Sequence, residues 1–187
     1  MELLDGFRQG LDEFGTRVHG VGADQWASGT PCAEWSVRDL VNHLVGEHLW
    51  APWLLRGATL AEVGDRFDGD VLGDDPVAAW DAAVAESREA VDRPGVLEGT
   101  VHTSAGEIPA EEYLRQMTLD LTVHAWDLAR GTGAGDRLDP DLVALVYGHA
   151  AELAPQWQGV GIFAPPVPVP EDAPLQDRLV GLMGRRP

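Results

Sequence analysis

The chain has 187 residues, enough for one domain with a real core, and a hydrophobic fraction of 44% with 7 tryptophans marks it as globular. Its 13 basic residues are all arginine, and against 31 Asp and Glu they leave a net charge of −18, a field that repels nucleic-acid phosphates and excludes DNA or RNA as a partner. A single cysteine, Cys32, excludes an internal disulfide and any multi-cysteine zinc site.

Leu3, Leu4, Phe7, Leu11, Phe14 and Val18 recur at helical spacing and predict a first amphipathic helix over residues 3–21. Residues 22–35 hold glycines, Thr30-Pro31 and two tryptophans and read as a loop. Ser36 is a good N-cap with Asp39 three residues on, a near capping box. It opens a second helix through Val37, Leu40, Leu44, Ala51 and Leu55, which Gly57 stops. Residues 64–75 are acidic and glycine-rich, hence a loop. Asp75-Pro76 opens a third helix that runs to Pro94-Gly95. Residues 97–108 alternate around Ser104-Ala105-Gly106 and predict a small hairpin. A fourth helix is expected from Pro109 to Arg130, and a fifth from Asp139-Pro140 to about Trp157. The Pro-rich segment from Phe163 to Pro170 must be extended, and a short last helix is expected over 174–183. The predicted fold is therefore all-α: a four-helix bundle with a small hairpin and extra C-terminal helices, forming a single domain over 1–187. No apolar run reaches the ~18 residues of a membrane span. The opening Met1-Glu2-Leu3-Leu4-Asp5 has no signal-peptide character, so the expected location is the cytoplasm.

The fourth helix carries the chemistry. Leu114, Met117, Leu121 and Leu128 form its apolar stripe, and Tyr113, Asp120, His124 and Asp127 follow one edge of it. Asp120 and His124 are one turn apart and point the same way. A carboxylate beside a bundle core is costly unless paired, bonded or bound to a metal, and Asp-x-x-x-His brings two ligands to one point. The plainer alternative is an Asp–His hydrogen bond at a half-buried edge. The second helix offers a third donor. His43 and Glu47 lie on its flank, whereas His48 sits in the middle of the apolar stripe. Periodicity favours His48 as the buried histidine and leaves open which of the two faces the fourth helix.

Three stretches carry a resemblance: Thr30-Pro31-Cys32-Ala33-Glu34-Trp35-Ser36 through Asn42-His43-Leu44, then Asp120-Leu121-Thr122-Val123-His124-Ala125-Trp126-Asp127-Leu128-Ala129, then Phe163 to Pro170 with Gln176-Asp177-Arg178-Leu179. Together they resemble the mycothiol-dependent maleylpyruvate isomerase N-terminal type, an actinobacterial family within the DinB-like metal-binding bundles. The resemblance implies metal ligands His43, Asp120 and His124, with His43 taken over His48. It implies one divalent ion, zinc first with nickel or iron as alternatives, and mycothiol as cosubstrate. The function it implies is a thiol S-transferase or isomerase-like enzyme whose metal activates the thiol toward a small-molecule electrophile. The namesake isomerases carry Glu where this chain has Asp120, and a second, C-terminal domain where this sequence reads as one.

Other readings stay beside that one: a non-catalytic metal-binding or stress-response protein, or a helical interaction protein whose Asp–His pair is structural. A homodimer is left open; nucleic acid and membrane are not expected partners. Cys32 reads as a small buried residue, ~10 Å from His43 at 1.5 Å per helical residue, and not as a ligand. Asp127 reads either as an acceptor behind a ligand histidine or as a solvated partner of Arg130. Trp35, Trp50 and Trp53 read as core, with pocket lining as the alternative. His19, His102 and His149 read as surface or loop residues. Gly131 to Gly135 follows a helix instead of opening one, so it is no phosphate loop.

Overall fold

A computed structural model describes residues 1–32, 34–157 and 164–187, without the side chains of 154–157. Ala33 and Phe163, both within the resembling stretches, lie outside the described residues. Local sequence sets most helix ends. The Asp39 N–H donates to Ser36 Oγ at 3.2 Å while the Ser36 N–H donates to Asp39 Oδ2 at 2.9 Å, completing the capping box that opens helix α2 (Val37–Leu54). A cap of this kind stabilises a helix by about 1 kcal/mol. Helix α1 spans Leu3–His19. Thr59 and Glu62 cap a single turn, α3 (Leu60–Val63), which no apolar period announces in the sequence. Pro76 begins α4 (Pro76–Val91), where Asp75 Oδ1 accepts from the Ala78 N–H at 3.0 Å.

The expected hairpin is present as β1 (Thr100–Thr103) and β2 (Gly106–Pro109), antiparallel with Val101 opposite Ile108. Helix α5 (Ala110–Thr132) runs two residues past Arg130, because Gly133 rather than Gly131 takes the left-handed φ of 70° that ends it. Helix α6 covers Pro140–Trp157 and α7 covers Leu175–Leu182.

The apolar stripes decide the packing. Helices α1, α5, α2 and α4 form a closed ring in that order, each against the next. Phe7, Phe14, Leu44, Trp80, Leu114 and Leu121 fill its centre and are all buried. Two glycines of α1 allow close approach: a Cβ at Gly10 would stand 3.3 Å from Leu121 Cβ, and one at Gly15 would stand 3.0 Å from Trp80 Nε1. The cost of glycine inside a helix, about 1 kcal/mol each, is offset by that contact. Helix α6 packs on α5, and α7 packs on α6. The extended segment before α7 is tied to it by the Val167 N–H, which donates to the Gly181 carbonyl at 2.8 Å. The chain then turns back, and the Arg185 N–H donates to the Val180 carbonyl at 2.8 Å. This return delivers the Arg185 side chain to the buried Asp127 on α5.

Among the described residues, no helix is long and apolar enough to cross a membrane. One histidine departs from expectation: His149 is no surface or loop residue. It lies on α6 with its side chain 8% exposed, 3.6 Å from Glu112 on α5.

Candidate metal centre

The α2/α5 seam brings His43, Asp120 and His124 together. His43 Nε2 lies 3.0 Å from Asp120 Oδ2, and His124 Nε2 lies 3.3 Å from Asp120 Oδ1. One donor atom from each of the three falls within 4.8 Å of the others, a spacing that suits a single cation. The imidazole rings meet edge to face, with centroids 5.4 Å apart. Trp35 covers both, 4.9 Å from the His43 ring and stacked on the His124 ring at 5.7 Å. The loop that holds Trp35 is tightly specified: the Thr30 N–H and hydroxyl both donate to the Trp35 carbonyl, and Glu34 takes a left-handed φ of 69°. That conformation is uncommon outside glycine and costs free energy, so the surrounding contacts must hold it.

His48 goes elsewhere. It is fully buried between α2 and α4, with Nδ1 3.0 Å from Ser87 Oγ and its ring against Phe7 and Trp80. Periodicity was right that His48 is the buried histidine, and the flank position of His43 is what faces α5. The tryptophans divide in the same way. Trp35 lines the site, whereas Trp50 packs on Phe67 and Trp53 on the guanidinium of Arg66 at 4.1 Å.

Behind His124 stands Asp127, and behind Asp127 an arginine that spacing did not reveal. His124 Nδ1 is 2.9 Å from Asp127 Oδ2, and Arg185 donates to the same carboxylate, from Nη2 to Oδ2 at 2.7 Å and from Nε to Oδ1 at 3.2 Å. Asp127 is fully buried and Arg185 is 6% exposed. Of the two readings of Asp127, the structure shows the acceptor behind His124; Arg130 bonds Asp136 at 3.1 Å instead. With Asp127 held as a carboxylate, His124 Nδ1 carries the proton it donates, and Nε2 is the nitrogen turned toward Asp120. Arg185 also donates to the Met183 carbonyl at 2.7 Å, so it is fixed at both ends. No local motif marks Arg185, because its partner lies 58 residues away.

Cys32 is nearer the chemistry than its distance along the chain from His43 implied. It is half-buried, and its sulfur falls within 4.8 Å of donor atoms of His124 and Asp127. Burial pushes its thiol up, only partly offset by Arg185. His19 is exposed and pairs with Asp81 at 3.0 Å, and His102 on β1 stands 3.8 Å from Glu107.

Without a metal, protons hold the site together. Burial opposes charge on Asp120, yet the His124 charge and hydrogen bonds from both histidines override it and hold the carboxyl well below the usual range. Burial likewise opposes charge on His124, but Asp120 and Asp127 raise it from 6.5 to about 9. His43 moves up as well, since its bond to Asp120 outweighs burial. The raised His124 value stabilises the metal-free fold fully below pH 6.5, and that contribution is lost as pH rises through about 9. A cation must displace this proton from Nε2. Because His43 is raised as well, metal affinity is expected to climb at least tenfold per pH unit as pH rises toward about 9 and then to flatten. Competition with a chromophoric chelator across that window checks the slope, and a flat profile would contradict it.

A ring of four helices with two imidazoles and a carboxylate converging at its α2/α5 seam defines a class, the four-helix bundle with a candidate metal site. Within that class, residues 7–129 match the mycothiol maleylpyruvate isomerase N-terminal domain, and the chain belongs to that family. Uncharacterized proteins of Mycobacterium tuberculosis, from the Oshkosh and H37Rv strains, are each 35% identical to it over 99% of this chain and 98% of their own. Two crystal structures of mycothiol-dependent maleylpyruvate isomerase, one of them a histidine-to-alanine mutant, share the fold with a TM-score of 0.67. They cover 93% of this chain and 78% of theirs, at 18% and 17% identity.

Proposed function

We propose that the chain holds one divalent ion, zinc first, on His43 Nε2, Asp120 and His124 Nε2, and that it is a thiol S-transferase or isomerase-like enzyme using mycothiol. The observation that carries this reading is the polarity of His124. Its Nδ1 is committed to Asp127, which leaves Nε2 converging with His43 Nε2 on the two oxygens of Asp120. Three protein donors leave open positions on a divalent ion. A metal-bound thiol is deprotonated outright and is a nucleophile at neutral pH. The chain's own residues then have three tasks: Asp120 and the two histidines position, Trp35 excludes water from one face, and Asp127 with Arg185 fixes the His124 ring. Family membership supports mycothiol as the thiol, and the cytoplasm is the compartment where a free thiol stays reduced.

Cobalt-substituted protein tests the reading, because a bound thiolate adds a sulfur-to-metal charge-transfer band that water and carboxylate ligands do not. Adding mycothiol is expected to produce that band, and glutathione a weaker one. A spectrum unchanged at saturating mycothiol would sink the thiol role and leave a non-catalytic metal-binding protein.

A further inference from the structure

His124 has a second set of donors on its other side. Cys32 Sγ and an Asp127 oxygen lie within 4.8 Å of each other and of a His124 ring nitrogen, and this set shares only His124 with the candidate zinc ligands. Nδ1 is the nitrogen on that side, 2.9 Å from Asp127 Oδ2. The set is built into the fold. His124 and Asp127 are buried. Cys32 is half-buried, in a loop whose turn is closed by the Trp35 N–H donating to the Cys32 carbonyl at 3.1 Å. Arg185 also grips Asp127 through Nε to Oδ1 at 3.2 Å, so Oδ2 can turn to a cation without stranding the guanidinium. Thiolate, imidazole and carboxylate together suit a soft ion better than the sulfur-free set of His43 and Asp120 does.

We propose that Cys32, His124 Nδ1 and Asp127 form a second metal site, selective for a thiophilic divalent ion such as cadmium, whose occupation empties the zinc site. The ion binds Cys32 by displacing the thiol proton to solvent, because a coordinated thiol is deprotonated outright. A neutral imidazole offers one free lone pair. With Nδ1 bound to the ion, the ring proton sits on Nε2, which then donates to Asp120 and can no longer hold zinc. The two sites are therefore exclusive, and the shared ring is the switch between them. The zinc half of this statement rests on the proposed zinc site; the thiophilic site rests on its own three donors.

Cadmium titration of the metal-free full-length protein tests the site, read by the sulfur-to-cadmium charge-transfer band in the ultraviolet. The band is expected to saturate near one cadmium per chain, to persist in His43→Ala and to vanish in both Cys32→Ser and Cys32→Ala. Zinc-loaded protein, treated with cadmium and freed of unbound ions, is expected to hold cadmium in place of zinc. Cys32→Ser is expected to keep its zinc at the cadmium concentration that empties the native protein. The absence of a band overturns the proposal. A band lost in His43→Ala also overturns it, because Cys32 would then belong to the zinc set. Zinc and cadmium held together overturn it too, with the His124 ring bridging both ions. Protein that takes up cadmium in the expected pattern but never zinc removes the zinc reading alone.

Discussion

Replacing His43 by alanine is expected to abolish metal binding while leaving the fold nearly as stable as before. His43 is partly exposed on the flank of α2, and its interactions are with Asp120, His124 and Trp35, all within the site. Losing one of three ligands removes the convergence that holds a cation, because Asp120 and His124 alone are one helix turn on a single helix. His48→Ala should do the opposite. It opens space beside Phe7 and Trp80 and leaves Ser87 Oγ unpaired, at a cost of about 2–4 kcal/mol, but it touches no candidate ligand. His48 adds a second signature. Burial holds its pKa down at about 3 against 6.5, so the unfolded chain takes up a proton that the fold refuses. The stability of the native protein should therefore fall as pH drops below 6.5 toward 3, and His48→Ala should lose that part of the acid sensitivity. Metal content and denaturant unfolding of both variants decide the assignment. A His48→Ala protein without metal, beside a His43→Ala protein that retains it, would reverse the two roles.

Arg185→Ala is expected to be the most damaging change outside the ligand set, although Arg185 lies only two residues before Pro187. Removing the guanidinium leaves Asp127 buried with only His124 as partner, and breaking a buried pair in this way costs about 3–5 kcal/mol. The same change frees the His124 ring. Outer partners of ligand histidines are worth about 10–100-fold in metal affinity, and that loss should appear in a chelator competition at a temperature where the variant is still folded. Arg185→Lys should recover part of the stability as a point charge but not the two-nitrogen grip on Asp127. If Arg185→Ala lowers stability and leaves metal affinity unchanged, Arg185 is structural and its contact with Asp127 does not orient His124.

The long helices were legible because their apolar residues recur at helical spacing and because Ser36, Asp75-Pro76 and the glycines after Arg130 punctuate them. The one-turn α3 was not, since four residues carry no period. Within the site, the i, i+4 spacing of Asp120 and His124 marked them as a pair on one face, and a plain hydrogen bond fitted that spacing as well as shared ligation. Choosing His43 over His48 needed the family resemblance, because periodicity reports burial and not which neighbour a flank residue faces. The structure brings His43 to Asp120 and encloses His48 with Ser87. Arg185 could not be read at all. Its role depends on α7 folding back on α6, a tertiary contact that no local pattern encodes. Cys32 stands beside His124 and Asp127, a neighbourhood that its distance from His43 along the chain could not reveal.

The proposed chemistry requires a cation held by two imidazoles and one carboxylate. Elemental analysis of protein purified without a histidine tag, before and after zinc addition and removal of the excess, measures this directly. The expected result is close to one divalent ion per chain in the native protein and none in His43→Ala. Native protein that retains no metal after zinc addition would contradict the account, and the His43–Asp120–His124 cluster would then be a network held by protons alone.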